Sequence, residues 1–518
     1  MEEWRQFCIS FLTENADIES IRNEAGDNFE KLRVYPDSIQ FAGGSYFFIA
    51  VDNFQKALVV YGEGCFFSEF EGYEVVCGSK GAKVCELSNK NCRVIRRIFP
   101  FINPSNHRGT AVTVGLGDRL GLASAGHIRL IKGMPVFPVL AQQSVRELNL
   151  TGRTFEDVLT EASWAVFQEG YTERFGADGD HLKTKQEVKT AVNCGYTMIT
   201  LDCSEHIDNG AASLLPEEAE RKYLLLPKSE RELLESQYIR KDFILKEGAK
   251  IAFKPEDFKK IILVYLKAVK FAIDIYNDII RNCSRDMDFE ISIDETLTST
   301  TPESHFFVAS ELIAAGVKIT SLAPRFCGEF QKGIDYKGDT ARFAEDFTVH
   351  VNIAEHFGYK ISVHSGSDKF SIFPAIGKIS GGRYHIKTAG TNWLEAVRII
   401  AAENPSLYRR MHKFAVSNLV EARKYYHISA NPSKIPDIDG LDDRELPMLM
   451  DMDDSRQVLH ITYGLILLDK KSDGSPTFKD EIYSTLNIHE GKYYDALKRH
   501  IGRHLKELGV VGKGDTST

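Results

Sequence analysis

The sequence predicts a closed (β/α)8 barrel of the TIM type, an α/β fold, with an added module at either end. Three observations predict it. Eight short β-branched and apolar runs between residues 110 and 387 alternate with segments of helical period, as parallel strands joined by right-handed crossovers do. Several runs end in a polar cluster, among them Asp118-Arg119, Gln142-Gln143, Asp180-His181, Asp202-Cys203, Asp294-Glu295 and His364-Ser365. Barrels of this type carry their chemistry at the carboxyl ends of their strands. The chain has 518 residues, whereas one barrel takes about 250.

Residues 1–104 read as an α+β module. Segments 39–51, 57–61 and 73–76 are strand-like and are broken by Gly43-Gly44 and by Gly62-Glu63-Gly64. A linker at 103–109 leads into the barrel, 105–405. Its eight strands are expected at 110–114, 136–140, 173–177, 198–201, 289–293, 318–322, 359–363 and 384–387. Helices are expected at 153–169, 185–194, 303–315, 340–357 and 393–402. The interval after strand four, about 208–288, exceeds one crossover and reads as an insertion with a charged stretch at 217–235 and a helix at 255–281. Residues 406–518 read as a helical appendage, with helical period at 407–426, 454–468 and 493–508 and a linker at 431–447.

Composition narrows the function. A net charge of −9 gives no pull toward nucleic acid or anionic membrane. The most apolar stretch, 261–280, is interrupted by Lys267, Lys270, Asp274 and Asp278, so it suits an amphipathic helix rather than a membrane span. The acidic amino terminus lacks the basic flank and apolar core of a signal peptide. Nine scattered cysteines without a CxxC pair indicate reduced thiols and a cytoplasmic protein. The spacing of Cys77, Cys85 and Cys92 does not suit a zinc knuckle.

The strand ends supply candidate chemistry. Gly115-Leu116-Gly117-Asp118-Arg119 has the wrong spacing for a dinucleotide loop, and Asp118 would oppose a pyrophosphate. The glycines instead let a tight turn bring Asp118 and Arg119 to the barrel mouth, with His127 and Gln143 as further substrate contacts. His181 and Lys183 share a face of an extended segment. Imidazoles and carboxylates on separate strands suit a divalent cation, zinc, manganese, nickel, cobalt or iron. Its expected ligands are His181, Glu295 and His364, with His206 in reserve. In the appendage, Arg456, His460 and Tyr463 fall on one helix face and are expected to reach substrate. His500 and His504 have basic neighbours and read as a surface helix.

The stretches VGLGDRLGLA (114–123), GADGDHLK (176–183), DET (294–296), SLAPR (321–325) and SVHSGSDKF (362–370) resemble the bacterial tagaturonate/fructuronate epimerase family, as does RQVLHITYG (456–464). The resemblance spans about 95–465; Gly179 departs mildly from a family alanine and leaves the neighbouring acids in place. It implies a metal-dependent hexuronate epimerase that inverts carbon 4 of a small sugar acid. The carbon 4 hydrogen is not α to a carbonyl, which leaves three routes: retro-aldol cleavage and reclosure, transient oxidation, or an enolisation relay. A metal cluster without a dinucleotide fingerprint favours retro-aldol. Asp118, Lys183 and Asp294 are then the expected proton movers, and Arg119, Lys387, Ser365 and the Arg456 face the expected holders of carboxylate and hydroxyls. The alternatives are a class II-type aldolase or ketose isomerase, and a non-catalytic sugar-binding barrel. Homo-oligomerisation stays open.

Overall fold

A computed structural model describes residues 32–77, 80–107 and 109–512. The expectations for the amino terminus and for the last few residues lie outside the described residues.

The amino-terminal module is a six-stranded antiparallel sheet: β1 (Leu32–Val34), β2 (Gln40–Ala42), β3 (Ser45–Asp52), β4 (Gln55–Gly62), β5 (Tyr73–Cys77) and β6 (Lys80–Cys85). Its path runs β1-β3-β4-β6-β5, with β2 paired to β3. Side-chain alternation splits β3 cleanly. Phe47, Ile49 and Val51 join the main core, while Phe48 and Ala50 join a small separate cluster with Val59 and Tyr61. A helix, Asn89–Ile98, follows, capped by the Ser88 side chain. Its Cys92, Val94 and Ile95 enter the main core. Cys85 and Cys92 are buried free thiols, and burial pushes them up to about 12 and about 11.

The barrel is closed and wholly parallel. Its strands are β7 (Val112–Gly115), β8 (Phe137–Ser144), β9 (Gly176–Leu182), β10 (Met198–Asp202), β13 (Asp288–Ile293), β14 (Ser321–Pro324), β15 (Lys360–Val363) and β16 (Tyr384–Lys387). β16 closes onto β7, pairing His385 with Thr113 and Lys387 with Gly115. Between β10 and β13 lie β11 (Asp242–Ile244) and β12 (Lys250–Ala252), a hairpin inside the insertion, which also holds helices Pro216–Tyr223, Lys228–Tyr238 and Pro255–Ile275. Local chemistry sets the crossovers. Thr154 with Asp157 and Thr184 with Glu187 form capping boxes that start two helices. Gly195 and Gly358 end helices in the left-handed conformation, with φ of 104° and 89°.

Strand three departs most from expectation, starting three residues late and running through Asp178 and Asp180. A strand with two acids survives there because the barrel interior supplies their partners, as described below. After β16, helices Ala389–Glu403, Pro405–Ser417, Asp453–Ile461, Tyr463–Leu468 and Lys479–Ile488 build a second core against residues 120–125. The last helix, Glu490–Glu507, packs on helices Ser124–Ile131 and Ala389–Glu403. No described helix is long and apolar enough to cross a membrane.

Candidate metal centre and active site

The carboxyl ends of the strands open into a cavity of about 400 Å³, a size that suits a six-carbon ligand. One wall is built from β9, β13 and β15. β9 delivers His181, the residue after β13 is Asp294, and the residue after β15 is His364. One ligand atom from each lies within 4.8 Å of the others, and the two ring centroids are 4.7 Å apart.

Each imidazole is oriented by a buried carboxylate. His364 Nε2 is 2.7 Å from Glu290 Oε1, which leaves Nδ1 facing Asp294 Oδ1 at 3.3 Å. His181 Nδ1 is 2.6 Å from Asp180 Oδ1, which leaves Nε2 free. Anchoring one ring nitrogen so that the other points at a shared centre is how proteins prepare histidine ligands. Ser292 donates to Asp294 from within β13. Burial alone would lower His181, yet Asp180 pushes it up to about 10. Burial would raise Asp294, yet His364 and His181 hold it well below the usual carboxylate range.

Beneath this wall Lys387 closes the barrel interior. Its ammonium donates to Thr200 Oγ1 and Asp180 Oδ1 at 2.6 Å and to Asp178 Oδ2 at 3.0 Å, with Glu290 Oε1 also at 3.0 Å. Burial would lower Lys387, but the three carboxylates hold it well above the ordinary lysine value. Asp178 is pushed up to about 6 by burial, against the pull of Lys387. A buried lysine shared among three acids is a fixed strut that shapes the ligands' supports, and Lys387, expected to hold substrate, also lines the cavity.

The remaining expected residues sort by where their side chains go. Arg119 lines the cavity, donates twice to Glu147 (2.9 and 3.1 Å) and lies 3.9 Å over the Tyr463 ring. Ser365 lines it too, with a strained φ of 51°, and accepts from Lys332 at 2.9 Å. His460 lines it with both ring nitrogens buried and unpaired; burial holds this imidazole well below its ordinary value, hence neutral. Glu295 lines the cavity but lies outside the imidazole cluster, 3.6 Å from Lys183, and Asp294 stands where Glu295 was expected.

Several expected residues face elsewhere. Asp118 turns into its own loop and accepts from the amides of Leu120, Gly121, Ala123 and Ser124. Lys183 sits off the cavity wall, held by Asp202 and Ser204. His206 stacks on Phe271 with centroids 4.0 Å apart, against the insertion helix. His127 is fully buried and pairs with Asn392 at 2.9 Å. Gln143 points away from the cavity while Gln142 lines it, as strand alternation requires. Arg456 donates to Gly333 O, Met450 O and Asp368, so it ties loops together away from the cavity lining. His500 and His504 are drawn inward: His500 Nε2 lies 2.5 Å from Asp368 Oδ1, and His504 Nε2 accepts from the Asp368 amide at 3.0 Å.

Sequence reasoning missed Glu290, Asp178, Arg146 and Lys332. The first two left a legible trace: an acid in the middle of a buried parallel strand requires a buried partner.

A profile of the tagaturonate epimerase family matches residues 35–508. The tagaturonate/fructuronate epimerase of Thermotoga maritima is 41% identical over 488 residues, covering 93% of this chain and 98% of that protein. The glycerol-complexed crystal structure of fructuronate-tagaturonate epimerase UxaE from Cohnella laeviribosi is 50% identical, with a TM-score of 0.91 over 95% of this chain and 98% of that one. The native structure of the same Cohnella protein superposes with the same score over 93% and 97%.

Proposed function

The chain belongs to the tagaturonate epimerase family, and on that premise we propose that it is an isomerase interconverting D-tagaturonate and D-fructuronate by inversion at carbon 4. The observation that carries the reading is the convergence of His181, Asp294 and His364 at one wall of the cavity.

The donor set fits a divalent cation. Each ring spends one nitrogen on a buried carboxylate and turns the other toward Asp294, and two imidazoles with one carboxylate suit zinc, manganese, nickel, cobalt or iron. A cation held by His181, Asp294 and His364 would supply Lewis-acid stabilisation of negative charge on the substrate's oxygens. The chain's own residues do the rest. Asp180 and Glu290 fix the two rings, and Lys387 fixes both carboxylates. Inversion takes a proton from the carbon 4 hydroxyl on one face and returns one on the other, so two groups must serve it. Glu295, beside Lys183, and neutral His460, with both ring nitrogens unpaired, line the cavity and fill these roles. The walls keep the aldehyde fragment in place while it turns and the bond reforms.

A cytoplasmic location belongs to the same reading, supported by the seven cysteines that are free among the described residues. The test is purified protein with D-tagaturonate and a divalent ion, products resolved by chromatography. D-fructuronate should form, a chelator should abolish it, and full turnover by metal-free protein would overturn the assignment. Net accumulation of three-carbon products would instead indicate an aldolase. Protein supplied with dihydroxyacetone and the three-carbon aldehyde acid should make some hexulosonate, whereas loss of a carbon 4 hydrogen label to solvent counts against bond cleavage.

A further inference from the structure

Most charges around the cavity are spoken for. Asp180 is engaged by Lys387 and His181, Asp294 by His364, and Glu295 by Lys183. Glu147 serves Arg119 and also accepts from the Ser144 amide that starts its helix. Three basic residues of the lining break this pattern. Arg146 lines the cavity, stands 4.9 Å over the Tyr426 ring, and has no side-chain hydrogen bond or close ion pair among the described residues, with Glu295 and Glu147 as the acids that act on it from farther off. Lys332 lines it with a serine hydroxyl as its hydrogen-bond partner. Arg119 adds a third cation, with its Nη1 buried and unpaired.

The three are neighbours. Arg119 lies on Tyr463 and Arg146 on Tyr426, and the two tyrosine hydroxyls are 3.5 Å apart. Lys332 is pushed below the ordinary lysine value by burial first, then by Arg146 and Arg119, against the opposing pull of Glu147 and Glu295. Three cations against two neighbouring acids, Glu147 and Glu295, leave a net positive wall that raises the local potential for an anion. Two guanidiniums and an ammonium match the oxygens of a carboxylate better than those of a hydroxymethyl group.

We infer that Arg146, Lys332 and the free edge of Arg119 form the subsite for the carboxylate of the sugar acid and set the preference for a hexuronate over the neutral ketohexose. The inference rests on the function proposed above and extends it. It also accounts for how the reaction keeps its pieces together. After the carbon 3–carbon 4 bond breaks, the aldehyde fragment carries the carboxylate. An anchored carboxylate lets that fragment turn about the carbon 4–carbon 5 bond without leaving.

Calorimetry on the metal-loaded full chain, with D-tagaturonate and with D-tagatose, tests this. The two ligands differ at carbon 6 in carboxylate against hydroxymethyl. Wild-type protein should bind the uronate at least about tenfold more tightly, as expected for a charge-assisted contact. Arg146→Gln and Lys332→Met should each shrink that ratio severalfold by weakening the uronate alone, with an unchanged melting profile. A ratio that stays the same in both variants, or a wild type without preference for the uronate, overturns the subsite. Binding is read apart from turnover, so the two readings fail separately. Charge-dependent binding without epimerised product defeats the epimerase reading and leaves the subsite standing. Epimerisation with an unaltered ratio in the variants does the reverse.

Discussion

Each of the two candidate ligand rings has one buried carboxylate behind it and shares Asp294 in front. That arrangement makes separate forecasts for neighbouring residues. Asp294→Ala and His364→Ala should each lose bound metal and turnover together, by elemental analysis and product assay. Glu295→Gln should keep its metal and lose rate, because its carboxylate lies outside the cluster, beside Lys183. Glu290→Gln, which keeps the shape but weakens the anchor of His364, should lower metal affinity by about 10–100-fold. His181 and His364 were legible in the sequence because each follows a buried run and sits among acids, serine and glycine. The choice of Asp294 over Glu295 was not, since adjacent residues at a strand end differ only in which way the backbone turns. Asp118 misled for a related reason. An aspartate before Leu-Gly caps its own turn as readily as it meets a ligand, and here four amides claim it.

At the scale of elements, the barrel was readable because its parallel strands are buried on both faces and so appear as continuous apolar runs. Strand three was misplaced because its acids are satisfied from across the barrel by Lys387, a partner more than 200 residues away. The last helix hid its role for the same reason. His500 and His504 look solvent-facing beside arginines, yet they meet Asp368 in the loop that follows His364. Ser365 and Asp368 hold φ of 51° and 62°, conformations that cost non-glycine residues about 1–3 kcal/mol each unless surrounding contacts enforce them. Asp368 is enforced from two sides. Burial would raise its carboxyl, but His500 and Arg456 hold it well below the usual range. His500→Ala should therefore relax the loop and lower kcat/KM by roughly tenfold while metal content stays the same, since Arg456 still grips Asp368. Loss of metal in this variant would show that the loop depends on the helix altogether. At Gly377 an added Cβ would lie 2.1 Å from the Leu508 carbonyl oxygen. Gly377→Ala should accordingly displace the end of the same helix and destabilise the protein by about 1–3 kcal/mol, read by thermal melting.

Across the whole molecule, the first sheet and the last helix are joined through one carboxylate. Glu490 pairs with Lys56 at 2.5 Å and with Arg33 at 2.6 Å, and accepts from Tyr35. Burial would raise its carboxyl, but Lys56 and the hydroxyls of Tyr494 and Tyr35 hold it down at about 2. A depressed carboxyl stabilises the folded chain above its ordinary value of 4.5, and that contribution is lost as pH falls from 4.5 through about 2. Melting temperature should fall across this window, and Glu490→Gln should be less stable at neutral pH with a flatter acid dependence. An unchanged acid profile in that variant would remove Glu490 from the joint. The grip of the last helix on Asp368 also has a consequence for biosynthesis. A ribosome can release every strand of the barrel, and both candidate ligand histidines, before it has translated His500. The cup is thus nearly complete on a nascent polypeptide whose loop still lacks its brace, and the loop is secured only once the helix that carries His500 has followed.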